Sequence, residues 1–131
     1  MSKKRILVVE DEESLLKLES ILLAAKGYQV TGVVDGTAAL EEIAASKPDL
    51  VILDVMIPEL DGFEVCRRIK ASPETSHIPV VMLTAKKNQQ DMEYGERMGA
   101  DAYLTKPFKA AVIMEVVERL LKRSAASSGR P

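Results

Sequence analysis

Five short apolar runs recur along the chain, separated by longer stretches of mixed polar and apolar residues. The runs are rich in Val, Ile and Leu and lack polar alternation, which is typical of strands covered on both faces, as in a parallel sheet. They predict five strands, over residues 6–9, 30–34, 50–53, 78–83 and 102–104.

The stretches between these runs carry apolar residues at helical spacing. Apolar side chains that recur every three or four residues line one face of a helix. Three such faces are predicted to pack on the sheet: Leu15, Leu18, Leu22 and Ala25; Phe63, Cys66 and Ile69; and Ile113, Val117 and Leu121. Two further helices, over residues 37–45 and 88–98, are predicted mainly from the helix propensity of their Ala, Leu, Glu, Gln and Met residues.

A strand followed by a helix, repeated five times with short loops, predicts an α/β fold. Right-handed crossovers wind such units into a parallel sheet with helices on both faces. We therefore predict a doubly wound, flavodoxin-like fold with five helices and a five-stranded sheet of order 2-1-3-4-5. In such sheets ligands bind outside the carboxyl ends of the strands, where the winding reverses. The residues at these strand ends are therefore the candidates for chemistry.

The composition fits a single domain and limits the classes of partner that the chain is expected to bind. The chain has 131 residues, of which 47% are hydrophobic, and its formal net charge is −2. Lys and Arg are spread along the chain, so they form no electrostatic footprint for DNA or an anionic membrane. Aromatic residues make up only 4%, too few for a surface that stacks on bases. We expect no direct binding of nucleic acid or membrane.

The single cysteine and the two termini lead to three expectations. Cys66 cannot form an internal disulfide and is expected to be a core residue of the third helix. MSKKR leads into a short strand without the apolar core of a signal peptide, so a cytoplasmic location is expected. The C-terminal RSAASSGRP is small and polar, which predicts a domain over residues 1–123 and a flexible tail or linker over 124–131.

Polar residues follow four of the predicted strands at the same edge of the sheet. They are Glu10 and Asp11 after the first strand, Asp54 after the third, Thr84 after the fourth and Lys106 just beyond the fifth. Because these four strands are predicted neighbours, their side chains should converge. Carboxylates close together repel one another and remain ionised only when a cation is shared among them.

Mg²⁺ suits such a cluster, because it takes one or two carboxylates, a carbonyl and several waters in an octahedron. Together with the ammonium of Lys106 it would neutralise a phosphoryl group, and the hydroxyl of Thr84 would bind another of its oxygens. The set therefore favours transfer of a phosphoryl group onto a carboxylate, with Asp54 as the nucleophile. The product, an acyl phosphate, is labile enough to act as a timed signal.

Four stretches carry a resemblance to a known family. They are LVVEDEE, VILDVMIPELDGFEVCRRIK, IPVVMLTAK and GADAYLTKPF, in this order. Together they resemble the receiver domain of two-component response regulators, of the single-domain chemotaxis-regulator type, over residues 4–122. The resemblance implies that Asp54 accepts a phosphoryl group from a histidine kinase or a histidine phosphotransfer protein. It also implies a signalling module that assists its own phosphorylation and dephosphorylation, and not an enzyme.

The resemblance implies four protein ligands for Mg²⁺. Asp11 would bind the ion directly, and Glu10 would act mostly through water. Asp54 and the main-chain carbonyl of Met56 would complete the set.

On the phosphoryl side, the resemblance implies that Thr84 and Lys106 contact the transferred group and that the Lys106-Pro107 peptide is cis. Tyr103 occupies the position of the family's switch aromatic. When Thr84 is drawn toward the phosphoryl group, the ring is expected to turn inward and to change the surface of the fourth helix, fifth strand and fifth helix. An unidentified downstream protein target would bind this surface.

Two positions that tune the lifetime of the phosphoryl group in the family are occupied here by Met56 and Lys86. Neither residue offers a carboxylate or an amide to orient an attacking water. The resemblance therefore implies slower self-dephosphorylation than in the chemotaxis regulator.

Three positions bear on self-association. The charged pairs that join the winged-helix members of the superfamily are replaced by Ala102, Val112 and Val116, so that dimer is not expected. Val112 and Val116 flank the predicted buried face of the last helix. They would form either a slightly wider buried face or an exposed strip for docking a partner.

Several residues also have purely structural interpretations. Glu10 and Asp11 could cap the first helix and interact with its dipole. Asp61 precedes Glu64 by three residues, which predicts a capping pair at the start of the third helix. His77 has no second His or Cys nearby in the sequence and is expected to be exposed.

Three other functions fit parts of the pattern. A haloacid-dehalogenase-type phosphatase needs a second Asp two residues after the nucleophile, where this chain has Met56. A flavodoxin-like cofactor binder needs a phosphate-cradling loop after the first strand, where EDEESL is acidic. A degenerate receiver would lack a site residue, whereas this sequence has them all.

Overall fold

The computed structural model describes residues 3–128, with side chains as far as residue 124. The strands are β1 (Arg5–Val9), β2 (Gln29–Val33), β3 (Leu50–Leu53), β4 (Val80–Thr84) and β5 (Ala102–Thr105). The helices that alternate with them are α1 (Glu13–Ala25), α2 (Gly36–Ser46), α3 (Gly62–Ala71), α4 (Gln89–Arg97) and α5 (Ala110–Ser128).

The strands form one sheet in the order β2-β1-β3-β4-β5. Each neighbouring pair is parallel, which confirms the predicted doubly wound, flavodoxin-like α/β fold. Val9 is paired with Leu53 in the register of β1 and β3. The residues that follow these two strands therefore emerge side by side at the carboxyl edge of the sheet.

β4 begins two residues later than predicted. Pro79 has no N–H to give to the sheet, and the N–H of Ile78 donates instead to the carbonyl of Thr75 in the preceding turn. The carbonyl of Pro79 still accepts a hydrogen bond from Val51. The strand therefore starts at Val80 and ends at Thr84.

The core lies in two layers, one on each face of the sheet, because successive side chains of a strand point to opposite faces. Odd-numbered residues of β1 and β3, such as Leu7 and Leu53, pack with residues of α2 and α3. Even-numbered residues, such as Ile6 and Ile52, pack with residues of α1 and α5. Glu10 and Asp54 continue the even-numbered series, so they emerge at the edge of the α1/α5 layer.

Three helices, α2, α3 and α4, begin at side-chain caps. The carboxylate of Asp35 accepts from the N–H of Ala38 at 2.7 Å in α2. The amide oxygen of Asn88 accepts from the N–H of Asp91 at 2.8 Å in α4. Such caps satisfy N–H groups that have no partner within the first helical turn, so these sequences fix where the helices start.

The predicted buried face of α1 is only partly correct, because Leu15 and Leu22 are half-buried and none of its four residues is fully buried. Leu18 is 44% exposed and Ala25 is also exposed, whereas Glu19 and Leu23 are buried. Leu16, Glu19 and Leu23 stand at spacings of three and four residues and form the face that the sheet covers. Apolar residues occupy several faces of this helix, so their spacing is compatible with more than one buried face. The face that is in fact buried contains a glutamate, which is not expected in a core.

The predicted faces of α3 and α5 are confirmed, with Cys66 fully buried in the core. On α5 the buried face is wider than its three predicted residues, because Val116 is only 7% exposed. Val112 is 41% exposed. The two valines therefore do not form a continuous exposed strip.

The C-terminal helix continues past the predicted end of the domain. α5 runs to Ser128, whereas the sequence predicts a domain over residues 1–123 and a tail over 124–131. Residues 129–131 of the predicted tail lie outside the described residues. None of the helices within residues 3–128 has the length and apolarity needed to cross a membrane.

Candidate functional site

Three carboxylates converge at the carboxyl edge of the sheet. One oxygen from each of Glu10, Asp11 and Asp54 lies within 4.8 Å of the others. Glu10 and Asp54 are buried beside each other because β1 and β3 are neighbours, whereas Asp11 is exposed at the rim. The predicted convergence of these residues is confirmed.

Lys106 joins two of the carboxylates from the end of β5. Its Nζ lies 2.6 Å from Oε1 of Glu10 and 2.7 Å from Oδ2 of Asp54. The side chain is 16% exposed, so these are largely buried, charge-assisted hydrogen bonds. The Lys106-Pro107 peptide is cis, as the resemblance implies.

Burial and mutual hydrogen bonding shift the pKa values of Glu10 and Lys106. Burial raises the pKa of Glu10, although the hydrogen bonds from Lys106 and from the N–H of Glu12 act in the opposite direction. Burial alone would lower the pKa of Lys106, but its hydrogen bonds to Asp54 and Glu10 outweigh that effect and raise it. Lys106 is therefore held as a cation between the two acids.

The backbone around Asp54 holds its side chain in place. Oδ1 accepts a hydrogen bond from the N–H of Met56 at 3.0 Å, and the N–H of Asp54 donates to the carbonyl of Val9 at 3.0 Å. Gly62 packs against the carbonyl of Asp54 so closely that a Cβ would overlap it. The loop that returns to α3 therefore fits against the strand end only because residue 62 has no side chain.

Thr84 and Tyr103 are connected through the backbone of Lys86. The N–H of Lys86 donates to Oγ1 of Thr84 at 3.3 Å, and the hydroxyl of Tyr103 donates to the carbonyl of Lys86 at 2.6 Å. Burial, together with the nearby carboxylates of Asp91 and Asp54, raises the pKa of Tyr103 to about 12. The phenol is therefore a hydrogen-bond donor at neutral pH.

The donor set fits a hard divalent cation. With every group ionised, three carboxylates and the ammonium of Lys106 leave a net charge of −2. Carboxylate oxygens are the ligands that Mg²⁺ prefers, and exposed Asp11 gives an ion a route in from solvent. Glu10, Asp11 and Asp54 are thus suitable ligands, and the backbone of Met56 adjoins Oδ1 of Asp54.

The purely structural roles predicted for the acids at the starts of α1 and α3 are confirmed only in part. Glu12 is the N-cap residue of α1 and makes no side-chain cap bond, so neither Glu10 nor Asp11 occupies the capping position of that helix. Asp61 does cap α3, accepting from the N–H of Glu64 at 2.9 Å. The side chain of Glu64 pairs with two arginines of α3 instead of returning to the cap. His77 is exposed, as predicted.

Glu19 is a buried acid that sequence reasoning missed. It is 3% exposed, and Oε2 has no hydrogen-bond partner among the described residues. Apolar side chains that include Ile52, Leu83 and Ile113 surround it. Burial, reinforced by the carboxylates of Glu10 and Asp54, raises its pKa to about 7. Its spacing from Leu16 and Leu23 is compatible with a buried position, but apolar residues also occupy other faces of α1, so the spacing alone does not single it out.

Comparison with known proteins connects this site with a family. Residues 6–118 match the response regulator receiver domain. The chain is 44% identical over 121 residues to the alkaline phosphatase synthesis transcriptional regulatory protein PhoP of Bacillus subtilis, covering 92% of this chain and 50% of that protein. It is 41% identical over 122 residues to the DNA-binding response regulator MtrA of Mycolicibacterium paratuberculosis, covering 93% and 53%.

A solved structure gives the same result. A putative response regulator from Chloroflexus aurantiacus has a TM-score of 0.89 and 31% identity, over 92% of this chain and 99% of that one. The chain spans about half the length of the curated relatives it matches. The similarity therefore concerns one domain of those regulators, and this chain belongs to the response regulator receiver domain family.

Proposed function

We propose that the chain is a phosphorylation-controlled signalling receiver in which Asp54 accepts the phosphoryl group. The observation that supports this proposal is the convergence of Glu10, Asp11 and Asp54 on Lys106 at the carboxyl edge of a doubly wound sheet. The phosphodonor would be a phosphohistidine of a histidine kinase or a histidine phosphotransfer protein. In the transfer, the P–N bond breaks, a P–O bond to Asp54 forms, and the histidine nitrogen keeps the electron pair.

Glu10, Asp11, Asp54 and the main-chain carbonyl of Met56 would hold Mg²⁺. When bound, the ion would neutralise charge on the oxygens of the phosphoryl group. The carboxylate of Asp54 is already oriented by the N–H of Met56. The strand end thus presents the nucleophile without a large side-chain rearrangement.

Lys106 and Thr84 would bind the remaining phosphoryl oxygens. Lys106 already lies 2.7 Å from Oδ2 of Asp54, so its ammonium is at the position where negative charge arrives. The hydroxyl of Thr84 accepts a hydrogen bond from Lys86, and its own hydrogen can be donated to a phosphoryl oxygen. A shift of Thr84 toward the phosphoryl group would disturb this contact with Lys86.

That disturbance would reach Tyr103, because its hydroxyl is bonded to the carbonyl of the same Lys86. We propose that Tyr103 turns inward after phosphorylation and changes the surface formed by α4, β5 and α5. Phosphorylation would then shift the population between two arrangements of this surface. An unidentified downstream protein would distinguish between them, and a cytoplasmic location is part of the proposal.

The lifetime of the phosphoryl group is expected to be long. The side chain of Met56 is 56% exposed, so it adjoins solvent but offers no group that would orient an attacking water. Lys86 likewise lacks a carboxylate or amide. A time course of phosphate release should show slower loss than in the chemotaxis regulator, and an equally fast release would refute this part of the proposal.

Incubation with Mg²⁺ and acetyl phosphate, followed by intact mass measurement, tests the function. The wild type should gain the mass of one phosphoryl group, and chelation of the metal should strongly reduce this gain. Asp54→Ala should abolish it. Asp61→Ala is the matched control, because Asp61 lies in the same loop region but caps α3, and this variant should still be phosphorylated. No gain in the wild type would indicate a receiver that does not take phosphate.

A further inference from the structure

The surface beside Tyr103 contains a groove between α4 and the start of β5. Its volume is about 370 Å³. One wall comes from Gln89, Met92, Glu93 and Glu96, which lie at spacings of three and four residues and therefore share one face of α4. The floor is formed by small residues of the β5 segment and by the ring of Tyr103.

The groove combines apolar contact area with uncompensated negative charge. Met92 is 37% exposed, and Ala100 and Ala102 leave the floor shallow and apolar. Glu93 and Glu96 are exposed, and neither forms an ion pair among the residues that the structure describes. No lysine or arginine lines this groove in the described part of the chain.

Asp101, the third acid of the groove, has a different role. Its carboxylate accepts from the N–H of Val80 at 2.8 Å and pairs with Lys70 at 2.9 Å, and Arg123 lies 3.5 Å away. Its charge is therefore largely compensated within the protein. The charge available to a partner comes from the two glutamates of α4.

We propose that this groove binds a basic amphipathic segment of another protein, with Lys or Arg side chains flanking apolar ones. The apolar side chains would cover Met92 and the alanine floor, and the cations would pair with Glu93 and Glu96. A second copy of this chain would bring two acidic walls together, and nucleic acid would be repelled. Charge complementarity therefore favours a cationic partner.

The position of Tyr103 would connect the groove with the phosphoacceptor site, and this step rests on the proposed function. The ring packs under α4 at Gly95, where an added Cβ would lie 2.9 Å from Cδ2 of Tyr103. The absence of a side chain at residue 95 thus lets the helix approach the ring. If the ring turns inward after phosphorylation, the floor of the groove changes, and so does its affinity for the basic segment.

The test uses two synthetic helical peptides, each with leucines along one face and with either lysines or glutamates on the other. The ¹⁵N-labelled full chain is titrated with each peptide and followed by NMR. The lysine peptide should shift the amide signals of residues 92–96 and 100–103, whereas the glutamate peptide should not. Equal binding of both peptides, or shifts centred on another face, would overturn the proposal, as would self-association through this groove.

Two charge variants measure the contribution of the acidic wall. Glu93→Gln/Glu96→Gln should bind the lysine peptide about fivefold more weakly, because exposed charges each contribute modestly and are screened by salt. The matched control is Glu41→Gln/Glu74→Gln, which removes the same charge at exposed positions outside the groove, and its affinity should change less than about twofold. An equal loss in both variants would show that only net charge matters, contrary to the proposal.

The connection with phosphorylation is tested by repeating the titration with Mg²⁺ and acetyl phosphate. Affinity for the lysine peptide should change in the wild type and not in Asp54→Asn. If intact mass shows a phosphoryl group but affinity does not change, the connection through Tyr103 is refuted. If no phosphoryl group is gained, the proposed function fails, whereas binding of the lysine peptide by the unmodified protein still tests the groove.

Discussion

Two buried carboxylates in the same layer of this protein differ in their surroundings. Glu10 is 2% exposed and accepts hydrogen bonds from Lys106 and from the N–H of Glu12. Glu19 is 3% exposed, and its Oε2 has no partner among the described residues. Burial raises the pKa of both acids, but only Glu10 has a neighbouring cation that opposes the shift through hydrogen bonds.

The difference shows how one fold can contain both a paired and an unpaired buried acid. Burying an unpaired charge costs far more than burying a paired one, so an unpartnered acid takes up a proton instead. The pKa of Glu19 is raised to about 7, which leaves this carboxyl largely protonated in mildly acidic solution. At the edge of the sheet, Lys106 lies within hydrogen-bond distance of Glu10 and Asp54, and it opposes the effect of burial on the pKa of Glu10.

Removing the shared cation should have the largest effect. Lys106→Met leaves Glu10 and Asp54 buried without their counter-ion, and breaking a buried ion pair costs about 3–5 kcal/mol. The free energy of unfolding, measured with urea, should fall toward that range at neutral pH without metal. Added Mg²⁺ should stabilise this variant more than the wild type, because the divalent ion then supplies the missing charge.

The control for this change is Lys122→Met. Lys122 forms an exposed ion pair with Glu118 at 3.2 Å, and such pairs contribute little. If the two lysine variants lost equal stability, the buried ion pairs of Lys106 would not be responsible for its effect.

Removing the charge of Glu19 should raise the free energy of unfolding instead of lowering it. In the unfolded chain its pKa returns to the ordinary 4.5, whereas in the folded protein it is about 7. The stability that comes from this tighter proton binding is therefore fully present below pH 4.5, and it is lost as pH rises through 7. The difference corresponds to about 3 kcal/mol of destabilisation above pH 7.

Glu19→Leu should accordingly raise the unfolding free energy at pH 8 by up to about 3 kcal/mol and by much less at pH 4. Urea unfolding at a series of pH values measures this, with Glu118→Leu, at an exposed position of α5, as the comparison. Glu19→Gln should remove the pH dependence while leaving a polar group in an apolar site. A wild-type profile that does not fall between pH 4.5 and 7 would contradict the assignment of a raised pKa to Glu19.

Removing a carboxylate that bonds only to the backbone should lower the free energy of unfolding by an intermediate amount. Asp61 accepts from the N–H of Glu64 at the start of α3. Asp61→Ala should lower the unfolding free energy by about 1 kcal/mol, as is usual for the loss of a helix cap. Asp61→Asn should retain most of the stability, because its amide oxygen can still cap. Equal losses in both variants would argue against capping as the cause.

The smallest effect is expected at an exposed carboxylate with two cations. Hydrogen bonds from Arg67 and then Arg68 lower the pKa of Glu64 to about 2. The group is on the surface, where solvent and salt screen its ion pairs. Glu64→Gln should therefore change thermal unfolding less than Asp61→Ala does. A larger loss than that of the cap variant would show that surface pairing matters more here than exposure implies.

Much of the candidate site could be predicted from the sequence because parallel strands determine it. Each apolar run ends at one edge of the sheet, so residues that follow neighbouring runs must meet, as Glu10 and Asp54 do. The hydrogen-bond pattern could not be predicted, because it depends on side-chain directions. That Tyr103 and Thr84 both bond to Lys86 follows from how the loop after β4 turns.

The sequence by itself determined the order of strands and helices, the acidic edge and the buried faces of α3 and α5. It did so because strand burial and a clear helical period are local properties. Only the tertiary structure decided which face of α1 is covered and which valine of α5 is buried. Apolar residues occupy several faces of α1, so packing against the sheet, and not periodicity, placed Glu19 in the core beneath the site.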